Sequence, residues 1–238
     1  LRVEITPRDL KVFMFIWKWK VAPTALIWRR YFPGVKPFRC YQRLWELMHA
    51  GYLNRHDERA GDIWLWTLSK QGFDLIRSSL PDLKEDGFKS ESPVHDLYVL
   101  AVQLGDWALG GKPDGIITVT EQQLRRYEAS NFPAKVPRYF SRRPDGYWLI
   151  ESNSRNLTLA LEIEISRKSE QEYKDIAHAY FYEKLVDSVF WFVPSASRAE
   201  WLHGILNETG ASARAIHNFL LLPDFDKIGW QAKIILGR

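Results

Sequence analysis

The run Leu159-Ala160-Leu161-Glu162-Ile163-Glu164-Ile165 constrains the fold more than any other stretch of this chain. From Leu161 onward, apolar and acidic residues alternate at period two, the repeat of an extended strand. Glu162 and Glu164 then share one face, while Leu161, Ile163 and Ile165 share the other. A second strand-like segment, 145–151, precedes this run and is joined to it by residues 152–156. The two read as a hairpin opened by Pro144-Asp145. Its register stays open at this level, because the loop is longer than a two-residue turn. A slip of one residue would move Asp145 to the face opposite the two glutamates.

Three carboxylates that converge repel one another and lose hydration. A hard divalent cation with oxygen ligands compensates for both. Asp145, Glu162 and Glu164 are therefore read as candidate ligands for Mg²⁺ or Mn²⁺, a site suited to phosphodiester hydrolysis. A plainer reading stands beside it: an alternating strand with one wet face carries Glu outward with no chemistry at all.

The first third of the chain is built differently. Thr6-Pro7-Arg8-Asp9 is a helix start, with a capping hydroxyl, a proline suited to the first turn and an acid at the positive helix end. Leu10, Phe13, Met14 and Trp17 continue at helical spacing. Helices are expected over 25–31, capped by Thr24, and over 37–49, with Tyr41, Leu44, Trp45 and Met48 inward and Gly51 in the left-handed position after the end. A hairpin over 52–67 with a charged tip and a helix over 69–79 follow. Three helices, a hairpin and a closing helix read as a winged helix-turn-helix over residues 1–80. In that module the third helix enters the major groove. Arg39, Gln42 and Arg43 are the candidate base readers on it, and Arg55 and Arg59, with Lys36, the candidate phosphate contacts.

Charge agrees with that division. The chain carries a net +4, but residues 1–80 hold 14 Lys+Arg against 7 Asp+Glu and the remainder 19 against 22. A basic part joined to a slightly acidic one suggests that the first meets a polyanion, taken here as DNA. Six tryptophans in the first 80 residues exceed what a small core needs, so some are expected at a homodimer or interdomain interface. The longest apolar runs fall short of a membrane span. No basic-then-apolar leader is read, and the lone Cys40 has no partner for an internal disulfide. A cytoplasmic protein with no membrane partner is the expectation.

Residues 81–93 are polar and punctuated by Pro and Gly, and are read as a linker. Beyond them, over 94–238, come a helix (95–109), a strand (115–119), a short helix (120–127), the acid hairpin, a helix (169–186), a strand (188–193), a helix (196–207) and a last strand (215–222). That order predicts an α/β domain with a mixed central sheet.

The order, with Pro-Asp and then Glu-x-Glu seventeen positions after the aspartate, resembles the PD-(D/E)XK nuclease fold, a restriction-endonuclease-like α+β architecture. The resemblance implies that Asp145 and Glu162 hold metal. The family's lysine position is occupied by Glu164, and Lys168 at the strand end is the candidate replacement. If no lysine reaches the site, the resemblance implies an inactive domain. The whole chain is also similar to the plasmid replication–relaxation (MobC-like) family. The similarity is carried by the Gly-Tyr-Leu hinge (51–53), His95-Asp96, Arg-Pro-Asp-Gly (143–146), Leu-Glu-Ile-Glu-Ile-Ser (161–166), Lys174 with Tyr180, and Phe-Val-Pro-Ser (192–195). It implies action on plasmid or mobile-element DNA, either as a metal-dependent endonuclease or as a non-catalytic DNA-binding accessory factor.

Overall fold

The first helix starts where its capping residues dictate. Helix α1 spans Pro7–Trp19. The Thr6 hydroxyl accepts from the Asp9 N–H, and the Asp9 carboxylate accepts in return from the Thr6 N–H. The helix ends at Lys20, whose φ of 63° reverses the chain. The computed structural model describes residues 3–56, 64–104, 114–138, 141–151, 156–209 and 216–237. Those residues divide into two compact units. One takes in Leu1–Ala101 and Arg126–Asn131, and the other holds most of the chain beyond.

In the first unit, strand β1 (Ala22–Pro23) leads into α2 (Thr24–Tyr31) and α3 (Pro37–His49). Strands β2 (Leu53–His56) and β3 (Leu65–Leu68) and helix α4 (Lys70–Ile76) follow. The strands form a small antiparallel sheet in the order β1-β3-β2, with Ala22 opposite Trp66 and Leu53 opposite Leu68. β1 is absent from the sequence reading, which took Val21-Ala22-Pro23 as a break. Two residues carry too little pattern to announce a strand. Thr24 is the first helical residue rather than the cap, and its hydroxyl accepts from the Trp66 indole N–H at 2.7 Å. Gly51 takes the left-handed conformation expected of it, with φ 85°.

The inner face of α3 differs from expectation by a small rotation. Cys40, Leu44 and Leu47 are the buried residues, whereas Tyr41, Trp45 and Met48 are only partly covered. The large rings pack along the flank instead. Trp45 meets Tyr41, His49 and the Arg55 guanidinium. Cys40 is a free thiol, and burial pushes it up to about 12, so it stays protonated and packs as a small hydrophobe.

Residues 81–93, expected as a linker, are tied into the first unit. The Trp17 indole donates to the Gly87 carbonyl at 2.9 Å, Phe88 stacks on Phe73, and Arg77 binds Asp86 at 2.5 Å. Polar, Pro- and Gly-rich composition allows irregular backbone here, but it does not release the segment from covering aromatic rings. Helix α5 spans Pro93–Leu104, and the boundary between units falls inside it, after Ala101. The His95-Asp96 pair, read as the start of the second domain, belongs to the first unit. Buried Asp96 receives Lys20 at 2.6 Å and Ser90 at 2.5 Å.

The second unit is built on a five-stranded sheet of β4 (Ile116–Thr120), β5 (Gly146–Ile150), β6 (Leu157–Ile163), β7 (Ser188–Val193) and β8 (Ile216–Leu221), in that order. β4, β5 and β6 pair antiparallel, and β6, β7 and β8 pair parallel. Helix α6 (Glu121–Arg126) follows β4. The parallel connections run through α7 (Glu170–Tyr182) and α8 (Ala196–Glu208), as crossovers require. β6 lies at the centre and is covered on both faces, so nearly every residue along it is buried. On one face, α7 and α8 cover Trp191, His217 and Phe219 through Tyr173, Tyr180 and His203. On the other, Trp148 meets Trp230 at 4.2 Å, and Phe192 meets Phe225 of α9 (Leu222–Ile228). The segment after α9 covers the β8 edge through Phe219 N–H to Leu236 O (2.8 Å) and Ile235 N–H to Phe219 O (2.9 Å).

Candidate functional site

The register left open by the sequence sets Asp145 across from Glu162. β5 and β6 pair Gly146 with Leu161, so the next position back, Asp145, stands across from Glu162 on the same face. The Asp145 N–H donates to Leu161 O at 2.9 Å, and its Oδ2 accepts from the Ile163 N–H at 2.7 Å. That carboxylate closes the ladder where β5 begins. Gly146 is required beside it: a Cβ there would lie 1.8 Å from Gln103 Nε2 and 2.6 Å from the Val119 carbonyl oxygen. The same Gln103 amide donates to Asp145 O at 2.9 Å.

Glu162 and Glu164 are both buried. β6 ends at Ile163, and Glu164 follows with its N–H donating to Phe192 O at 2.9 Å. Their carboxylates meet α7 through two tyrosines seven residues apart, two helical turns and hence one helix face. Tyr180 donates to Glu162 Oε1 at 2.5 Å. Tyr173 donates to Glu164 Oε2, and the Lys168 ammonium binds Glu164 Oε1. The Lys168 backbone N–H in turn donates to the Tyr173 hydroxyl oxygen at 3.1 Å. Burial and then the Glu162 charge hold the Tyr180 phenol well above its ordinary value, so it remains a donor. Tyr147 lies buried beside them, raised by burial and then by Glu162 and Glu183, and its hydroxyl has no hydrogen-bond partner.

This geometry bears directly on a metal. Among the described residues, no group of three His, Cys, Asp or Glu side chains is arranged to hold an ion. Both oxygens of Glu164 are engaged, one by an ammonium group, so a divalent cation would first have to displace Lys168. As arranged, Glu164 has no oxygen open to Mg²⁺ or Mn²⁺. Sequence reasoning singled out Asp145, Glu162, Glu164 and Lys168, and Tyr180 as a motif residue, but placed neither Tyr173 nor Tyr180 beside the acids. Their signal was present: Tyr173 and Tyr180 share a face in a helix that directly follows the acid strand.

The candidate DNA contacts of the first unit separate into three groups. Arg39 and Gln42 are exposed on α3, with Arg39 Nη1 donating to Gln42 Oε1 at 3.1 Å. Lys36 and Phe38 are exposed beside them, Phe38 to 68%. Arg43 is turned the other way. Its Nη2 and Nε bind Asp9 at 2.7 and 3.2 Å, its Nη1 binds Glu46 at 3.1 Å, and Nη2 also reaches Glu4 O. Burial pulls the Asp9 carboxyl upward, but the bonds from Arg43 and Thr6 outweigh it and hold it below the ordinary value. The Arg55 guanidinium lies over both the Trp64 and Trp45 rings, at 4.1 and 4.8 Å. Arg59 lies outside the described residues.

Fold and site together define a mixed α+β protein, with a small antiparallel sheet in one unit and a five-stranded mixed sheet in the other. Among the described residues no helix is long and apolar enough to cross a membrane. Comparison with family models, with curated proteins and with solved structures returned no match.

Proposed function

We propose that the chain is a DNA-binding accessory factor of plasmid or mobile-element replication or relaxation. In this reading the first unit is a winged helix-turn-helix that lays α3 in the major groove. The second is a PD-(D/E)XK-like fold whose acids serve the fold rather than a reaction. The observation that carries the reading is the outward face of α3. Lys36, Phe38, Arg39 and Gln42 stand exposed at its first turns, in a unit whose element order and β1-β3-β2 sheet suit a winged helix. Arg39 suits guanine or phosphate, Gln42 adenine, and Phe38 a thymine methyl. Arg43 leaves the set, because its guanidinium is committed to Asp9.

The choice of accessory factor over nuclease follows from the internal hydrogen bonds of Glu162 and Glu164. A metal-dependent nuclease is the second reading, favoured by the register that sets Asp145 across from Glu162. In it Asp145 and Glu162 bind Mg²⁺ or Mn²⁺, and Lys168 leaves Glu164 to steady charge on the phosphate.

One pair of assays tests both. Arg39→Ala and Gln42→Ala should each weaken DNA binding by about 1–3 kcal/mol. The unaltered protein incubated with supercoiled DNA and Mg²⁺ or Mn²⁺ should leave it intact, and Asp145→Ala should bind DNA equally well. Cleavage abolished by Asp145→Ala and by Glu162→Ala would establish the second reading. DNA affinity indifferent to both α3 substitutions would remove the winged-helix assignment.

A further inference from the structure

A second charged cluster lies past the C-terminal ends of β6 and β7. It centres on Trp201 of α8. The Arg167 guanidinium carbon is 4.0 Å from the centre of that indole, and the Arg198 guanidinium carbon is 5.5 Å from it. Tyr173 packs edge-on against the same ring at 5.5 Å. Arg167 is exposed and Arg198 half-buried. Arg198 Nη1 is buried and has no hydrogen-bond partner. Among the described residues, no carboxylate pairs with either guanidinium. Two serine hydroxyls, Ser195 and Ser197, meet at 3.0 Å in the turn that opens α8.

One arginine on a tryptophan is an ordinary surface contact. Two on one ring are another matter. Their charges are held within about a Debye length of each other and repel. A buried guanidinium N–H without an acceptor loses its hydration with nothing in return. An anion bound at the cluster relieves the repulsion, and the planar guanidinium fork matches phosphate oxygens in particular. Lys168 adds nothing to this charge, because Glu164 neutralises it. With Arg167 and Ser197 open to solvent, the cluster suits one phosphate of a continuing chain rather than an enclosed small anion.

We propose that Arg167 and Arg198, steadied by Trp201, form a phosphate-binding site for the nucleic-acid backbone on the second unit. The inference rests on the DNA-binding reading and adds to it a contact surface separate from α3.

The test uses the full chain and fluorescence anisotropy with labelled duplex and single-stranded DNA across a salt series. The paired change Arg167→Glu with Arg198→Glu should weaken binding more than tenfold. It should also flatten the salt dependence by about one phosphate's worth of counterion release. Lysine at both positions should retain most of the salt slope. Should the doubly reversed protein fail to fold, Arg167→Glu alone decides, since Arg167 is exposed; it should remove about one phosphate from the slope. Unchanged affinity and slope in a folded reversal variant, while Arg39→Ala still weakens binding, would overturn this site and leave the DNA reading standing. No DNA binding by the unaltered protein would end both.

Discussion

Replacing Lys168 by Met tests whether the acid pair is bound into the fold. Glu164 is 1% exposed and the Lys168 side chain 37%. Removing one partner of a fully buried ion pair costs about 3–5 kcal/mol, because the other charge is left without compensation. Water reaches Lys168, which screens the pair and lowers the expected loss to about 2 kcal/mol. Tyr173 still donates to Glu164, so the carboxylate is not abandoned. The complementary change, Glu164→Gln, keeps an acceptor for Tyr173 and leaves an ammonium that can swing into water, for a cost of about 1 kcal/mol. With both changes made, no charge is stranded, and the double variant should also lose only about 1 kcal/mol. The cycle therefore predicts a coupling of about 2 kcal/mol. Urea unfolding followed by circular dichroism reads it, and Lys168→Met should lower the midpoint of the second unit by about 1 M. A double variant that loses the sum of the two single losses would refute the reasoning, since the pair would then carry no coupling.

Three further outcomes follow from named contacts. Arg43→Ala should cost about 3 kcal/mol of stability by stranding buried Asp9. Because Asp9 is held below its ordinary value, the unaltered protein should lose that stability as pH falls below about 4, and the variant should not; thermal unfolding at pH 5 and pH 3 compares them. His217 accepts from the Trp191 indole at 3.0 Å, and burial, then His203, lowers it to about 4. Between its unfolded value of about 6.5 and that folded value only the unfolded chain takes the proton, so up to about 3 kcal/mol should disappear as pH falls through this window. His217→Gln should flatten the dependence, and an unchanged pH slope would remove His217 as its source. Gly146→Ala should destabilise the second unit by about 1–3 kcal/mol or more, since the Val119 carbonyl that its Cβ meets is backbone and cannot turn aside.

Much of the fold was legible because its elements announce themselves locally. Thr6, Pro7 and Asp9 bracket the start of α1, and Gly51 marks a left-handed turn that favours glycine. Ser188–Val193 is a short apolar run of strand length, and the structure keeps those bounds. What failed to show depends on partners far along the chain. The cover that 81–93 provides is set by Trp17 and Phe73, which no local composition reveals. Arg43 looked like a base reader because position 43 lies on the same side of α3 as Arg39 and Gln42. Its commitment to Asp9 is a contact over 34 residues, and Asp9 read locally as nothing more than a favourable charge at a helix start.

The acid strand carries the same lesson into function. Alternation put Glu162 and Glu164 on one face, and that was sound, but a shared face does not say what lies above it. An open face over Asp145 and the glutamates would leave carboxylate oxygens for a cation. Here α7 arrives with Tyr173 and Tyr180 on a single stripe, and Lys168 closes the end. Each contact places a donor on an oxygen that a metal would need. The same residue types that suggest catalysis in sequence therefore satisfy one another in the folded unit. Arg167 and Arg198, which lie over Trp201, stand outside these contacts and are the groups the proposed phosphate site would use.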